Sequence, residues 1–178
     1  MSLPSTCVSS PVTPVATEDY LDAVAQHAAG VAVVTSVEFG RPVGATVSTF
    51  ASHSIDPPTV SCDLAQDSST LAAIRRAGRF AVHLLADDQG ELAMRFAGRG
   101  DRFAGDGWSL DDGLPAISGV VARFTCELQT TVHVGDHVVV FGTGTDTLID
   151  DDRAPLVHQN RRFRRVGASV ETTSGRAG

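Results

Sequence analysis

The chain has 178 residues, of which 42% are hydrophobic and 20% charged, with a formal net charge of −7 at neutral pH. That length fits one domain, able to bury about 70% of its unfolded surface. The acidic balance argues against a non-specific nucleic-acid binder, which needs a basic face. All 14 Lys-or-Arg positions are arginine, which excludes lysine Schiff bases and the P-loop lysine.

Cys7, Cys62 and Cys126 are odd in number, far apart and free of any CxxC pair. They suggest neither a disulfide framework nor a zinc knuckle, and a reducing, cytoplasmic setting is expected. Residues 1–16 contain three prolines and no basic residue, so they read as a flexible arm rather than a secretory signal. No apolar run approaches the roughly 20 residues of a membrane span, and no membrane partner is expected.

The expected domain runs over residues 17–166, with a polar tail over 167–178. Thr17 is placed as an N-cap, with Glu18 and Asp19 at the positive end of a helix that Gly30 stops. Val31–Val37 and Val43–Phe50 read as strands joined through Phe39-Gly40, and Asp56-Pro57-Pro58 breaks the chain before a strand over Thr59–Leu64. Ser69-Thr70 is expected to cap a helix ended by Gly78, followed by a strand over Phe80–Leu85 and a short helix over Asp88–Phe96. A Gly-rich loop from Gly98 to Gly107 precedes two long strands, Ala122–Val134 and His137–Leu148, joined tightly at Gly135-Asp136. Pro155–His158 and Arg162–Val166 supply the last strand material. Strands outnumber helices and lack regular crossover helices, so an antiparallel barrel with a few flanking helices is expected over a doubly wound sheet.

Gly98-Arg99-Gly100 and Gly142-Thr143-Gly144 tempt a dinucleotide reading, but neither completes GxGxxG between a strand and a helix. The hydroxyl residues Thr46, Ser48, Thr49 and Ser52, beside Gly44, have two readings. One is the ordinary use of Ser and Thr in strands and turns. The other is a cradle in which strands 43–50 and 59–64 converge on Ser68, Ser69 and Thr70, offering hydroxyls to a ring system and helix N–H groups to a phosphate. His133 and His137 are separated by the Gly135-Asp136 turn and have no third ligand, so no metal site is expected.

In order along the chain stand Gly44-Ala45-Thr46-Val47-Ser48-Thr49-Phe50, Ser54-Ile55-Asp56-Pro57-Pro58 and Ser68-Ser69-Thr70. Arg79-Phe80-Ala81-Val82, Arg95-Phe96-Ala97-Gly98, Asp101-Arg102-Phe103, Gly135-Asp136-His137 and Pro155-Leu156-Val157 follow. Collinear over about Tyr20 to Val166, this set resembles the flavin reductase family, whose members pass reduced flavin to partner monooxygenases. The resemblance implies a mainly β, FMN-binding split barrel of Greek-key type, acting as a homodimer and using FMN or FAD with NADH or NADPH. It places Thr46, Val47, Ser48, Thr49 and Ser52, with Cys62, Asp63 and Leu64, at the flavin. Ser68, Ser69 and Thr70 would hold the phosphate, with Arg102 as a cation. It makes His137 the catalytic residue on the nicotinamide side, oriented by Asp136, and puts Arg162 and Phe163 beside the pyridine nucleotide. A non-enzymatic flavin-binding split barrel and a pyridoxamine-phosphate-oxidase-like enzyme are the alternatives. The chain departs from the family pattern at His83, Asp63 and His158, where Asn, a small or apolar residue and Tyr are commoner. A carboxylate at Asp63 near the flavin would disfavour an anionic reduced ring.

Overall fold

The computed structural model describes residues 13–167, so most of the expected N-terminal arm, including Cys7, and the tail beyond Gly167 lie outside the described residues. The elements are α1 (Thr17–Ala25), β1 (Ala29–Gly30), β2 (Ala32–Glu38), β3 (Arg41–Val47), β4 (Ala51–Ile55), β5 (Pro58–Ala65), α2 (Ser69–Ala77), β6 (Arg79–Leu84) and α3 (Gly90–Ala97). They continue as β7 (Trp108–Asp111), β8 (Leu114–Ile117), β9 (Ala122–Val134), β10 (His137–Ile149), β11 (Leu156–Gln159) and β12 (Arg162–Arg165). A seven-stranded antiparallel sheet runs β3-β2-β6-β9-β10-β5-β4, beside a three-stranded sheet β1-β11-β12 and the hairpin β7-β8. β3 lies against β5 without pairing with it, so the large sheet curls and leaves a seam between the two. The mainly β, antiparallel architecture with few helices is as the sequence predicts.

Two cores lie on opposite faces of this sheet. Ala32 and Val34 of β2 enter the first, with Val47, Cys62, Leu64, Phe80, Val82, Val138 and Val140, closed by Leu71 and Ile74 of α2. Val31 and Val33 enter the second, with Leu85, Ala93, Phe96, Ile117, Val120 and Leu156. A strand buried on both faces has no polar side to show, which is why Val31–Val34 is an unbroken apolar run. Gly142 is required by the first core: a Cβ there would meet the Phe80 ring at 2.5 Å.

The helix α2 begins at Ser68, whose hydroxyl accepts the Leu71 N–H at 3.5 Å, and ends at Gly78 in the left-handed region (φ 71°). The cap is therefore Ser68, one residue before the expected pair, because Ser69 and Thr70 already have helical backbone. At α1 the N-cap is Ala16, without a side-chain bond, and the helix ends at Ala25 rather than Gly30. Ala29 and Gly30 instead pair with His158 and Val157 of β11, so a tertiary partner takes residues that local pattern assigns to the helix. β3 stops at Val47, three residues before the expected end, and the chain bends through Ser48–Phe50 into β4.

Candidate functional site: a cavity at the β3–β5 seam

Alternation along β3 and β5 sorts their side chains. Ala45, Val47, Cys62 and Leu64 pack with the first core, while Thr46 and Asp63 turn to the other face. There, α3 covers β3 only in part. Gly44 allows its approach, since a Cβ at that position would stand 2.9 Å from Phe96 Cε1 and 3.0 Å from the Val34 carbonyl oxygen. Thr46 Oγ1 donates to the Ala93 carbonyl at 2.7 Å and fixes the helix against the strand.

What α3 leaves uncovered is an open cavity of about 850 Å³, within the range of small-molecule sites. One wall is Thr46, Val47, Ser48 and Thr49, and a second is Asp63 and Leu64, leading to Asp67, Ser68 and Ser69 at the start of α2. The third is the end of α3 and the loop after it, Phe96, Ala97, Gly98, Arg99 and Arg102, and His137 of β10 stands at the rim. The walls are cross-tied. The Asp63 N–H donates to Thr49 Oγ1 at 2.8 Å, while Arg102 donates from Nε to the Gly98 carbonyl (3.0 Å) and from Nη1 to the Gly44 carbonyl. Further N–H groups of that guanidinium remain for a ligand.

At the α2 start, Leu71's N–H is taken by Ser68 Oγ, leaving the Ser69 and Thr70 N–H groups without an intrahelical partner. These donors, the Ser68 and Ser69 hydroxyls and Arg102 make one end of the cavity suited to a phosphate. At the rim, His137 Nδ1 donates to Asp136 Oδ1 at 2.9 Å, and this hydrogen bond holds the Asp136 carboxyl below the usual carboxylate range. With Nδ1 so engaged, Nε2 is left to face a ligand.

The cavity gathers Thr46, Val47, Ser48, Thr49, Asp63, Leu64, Ser68, Ser69, Arg102 and His137 from the residues the sequence predicts. Asp136 does not line it and reaches it only through His137. Ser52 lies beyond the bend, in a separate hollow with Thr59, Phe124 and Thr147. The Cys62 thiol is inside the first core, where burial pushes its pKa up to about 12. Thr70 is fully buried, with its hydroxyl unpartnered among the described residues. Arg162 and Phe163 sit on β12; the Phe163 ring packs over Gly90, at the end of α3 away from Phe96. Phe96 to Arg99 form a wall that residue chemistry alone does not point to; the signal was the collinear Arg95-Phe96-Ala97-Gly98 segment. Among the described residues, no group of three or more His, Cys, Asp or Glu is placed to hold a metal ion.

Residues 24–167 match the family model described as the flavin reductase like domain. The chain belongs to the flavin reductase family. An NADH:FMN oxidoreductase from Rhodococcus qingshengii is 37% identical over 154 residues, covering 83% of this chain and 80% of that protein. A reductase subunit of a flavin-dependent monooxygenase from Rhodococcus jostii is 37% identical over 140 residues, covering 78% of this chain and 72% of the relative. Among solved structures, the NADH:FAD oxidoreductase of Streptomyces globisporus with NAD and FAD fragments superposes with a TM-score of 0.82 at 27% identity, over 90% of this chain and 100% of that one. The cavity fits the cofactor of a flavin reductase: hydroxyls and backbone donors along two walls, an end at Ser68–Ser69 and Arg102 suited to a phosphate, and a third wall in which Phe96 and Ala97 adjoin Arg99 and Arg102.

Proposed function

We propose that this flavin reductase oxidises NADH, reduces FMN or FAD in the seam cavity, and hands the reduced flavin to a partner monooxygenase. The observation that carries this reading is the convergence, in one cavity, of the hydroxyl bend, the α2 start and His137 within the family-matched region. Its relatives carry names of NADH-dependent FMN reductases and of a monooxygenase reductase subunit.

The cofactors themselves supply the chemistry, a hydride passing from nicotinamide C4 to flavin N5. The protein's part is to bind, orient and shield. Thr46, Ser48 and Thr49 border the ring and ribityl chain, Ser68, Ser69 and Arg102 hold the phosphate, and His137 positions the nicotinamide with Asp136 fixing its tautomer. Holding the two reactants in register removes the entropic part of the barrier, and no general base is needed.

A homodimer would cover exposed apolar side chains, among them Ile55 (94%), Leu148 (48%) and Ile149 (68%); sedimentation at micromolar concentration tests it. Cys62 and Cys126 are both free and buried, which agrees with a reducing cytoplasm, and no helix among the described residues is long and apolar enough to cross a membrane. Steady-state NADH oxidation with FMN, FAD and riboflavin in turn tests the activity. Flavin-dependent turnover is expected, and its absence with all three flavins would falsify the reading.

A further inference from the structure

Asp63 is the only carboxylate on β5 and lines the cavity, while Cys62 before it is fully buried in the core and Leu64 after it packs with the core and borders the cavity as well. Its position along the cavity is set by two contacts. Its N–H is bonded to Thr49 Oγ1, and its register partner is Val139, two residues along β10 from the pair His137–Ala65. At about 3.3 Å per residue, Asp63 stands ~7 Å back from the strand end at Ala65, on the side away from the α2 start. The carboxylate therefore borders the part of the cavity between Thr49 and His137, whereas Ser68 and Ser69 mark the phosphate end.

Resting on the flavin reductase reading above, we propose that Asp63 makes the site hold oxidised flavin more tightly than reduced flavin, and so sets the release of the product. Transfer of a hydride from NADH leaves NAD⁺ and gives the flavin two electrons and one proton. The ring gains one negative charge and stays anionic when N1 is unprotonated. Arg102 and the α2 start face a phosphate whose charge is the same in both redox states, so they hold both forms alike. A fixed negative charge beside the ring acts on one form only, and a site can shift an equilibrium only by such differential affinity. Release of reduced flavin is what a reductase that serves a separate oxygenase requires, and Asp63 supplies it without weakening capture of the oxidised substrate.

The test is anaerobic calorimetric titration of wild-type protein and of Asp63→Asn with oxidised FMN and with dithionite-reduced FMN. The substitution keeps the side chain's shape and the backbone bond to Thr49. Wild-type protein is expected to prefer the oxidised form. Asp63→Asn should move the oxidised-to-reduced affinity ratio about fivefold toward the reduced form, the scale of one nearby charge pair in a water-exposed site. That equals about 20 mV in the potential of bound flavin, at 29.6 mV per tenfold for a two-electron couple. The difference should shrink in high salt. Asp63→Ser, a second neutral variant, should repeat the shift if Asn folds poorly, and Asp63→Glu should keep the wild-type ratio. Equal ratios in wild type and both neutral variants, with reductase activity intact, overturn the role of Asp63 alone. A wild-type chain that binds neither flavin form overturns both this role and the function beneath it.

Discussion

The two faces of β3 and β5 behave as different materials. Ala45, Val47, Cys62 and Leu64 are apolar and pack with a closed core, and all of them but Cys62 also show an edge to the cavity, while the neighbours Thr46 and Asp63 are polar and border that open cavity. Because side chains alternate with period two, stability and ligand binding are written on interleaved positions of the same strands. Changes at core positions away from the cavity should move folding and spare affinity in the folded protein, and changes at the polar positions that border the cavity should do the reverse.

The largest effect expected is in the first core, which β6 shares with β3 and β5. Phe80 is fully buried and its ring fills the space that Gly142 leaves, so Phe80→Ala should lower stability by about 3–5 kcal/mol in denaturant titrations. The fraction still folded should bind FMN nearly as well as wild type. Weakened binding without lost stability would break the division.

His83 of β6 is a titratable side chain buried among these apolar ones. It is fully buried on β6, with Nδ1 bonded to the Val33 carbonyl and Nε2 unpartnered among the described residues. Burial lowers its pKa from 6.5 to about 4. Between those values the unfolded chain binds a proton that the folded chain refuses, so stability is full above the unfolded pKa and is lost as pH falls toward the folded one. Wild type should lose about 2–3 kcal/mol more than His83→Asn between pH 7 and pH 4.5. Parallel pH profiles for the two proteins would remove His83 from the account.

On the outward parity and the adjoining α2 start, Ser69→Ala should weaken FMN and FAD binding by about tenfold, the scale of a hydrogen bond to a charged group. Riboflavin, which lacks the phosphate, should lose little. A uniform loss across the three flavins would mean the phosphate lies elsewhere.

The smallest effect belongs to His137, half-exposed at the rim. His137→Ala should raise the NADH KM or slow flavin reduction by roughly three- to tenfold, the worth of one hydrogen bond, with flavin affinity nearly kept. Wild-type NADH kinetics in this variant would show that the imidazole serves no ligand.

Much of this was legible in the sequence because its causes are local. β9 runs over Ala122–Val134 as expected, joined to β10 through the tight Gly135-Asp136 turn, and α2 is bracketed by a Ser cap and a left-handed Gly. The strands β7 and β8 were not read, although Asp112 and Gly113, both at positive φ, make the two-residue turn that joins them. β4 was missed because only its pairing with β5 makes it a strand. At the site, spacing found the hydroxyl bend, Ser68 and Ser69, but parity decided the rest. Cys62 is one residue from Asp63 and faces the core, and Thr70 is one helical step from Ser69 and turns inward. The placement of Arg162 and Phe163 depended on β12 joining a separate sheet, which no local pattern announces.

The most direct test of the account is a crystal structure of the protein soaked with FMN. The phosphate is expected on the Ser68–Ser69 N–H and hydroxyl groups near Arg102, with the ring between Thr49, Asp63 and His137. A flavin found in the hollow of Ser52, Thr59 and Thr147, or against Arg162 and Phe163 of β12, would contradict it.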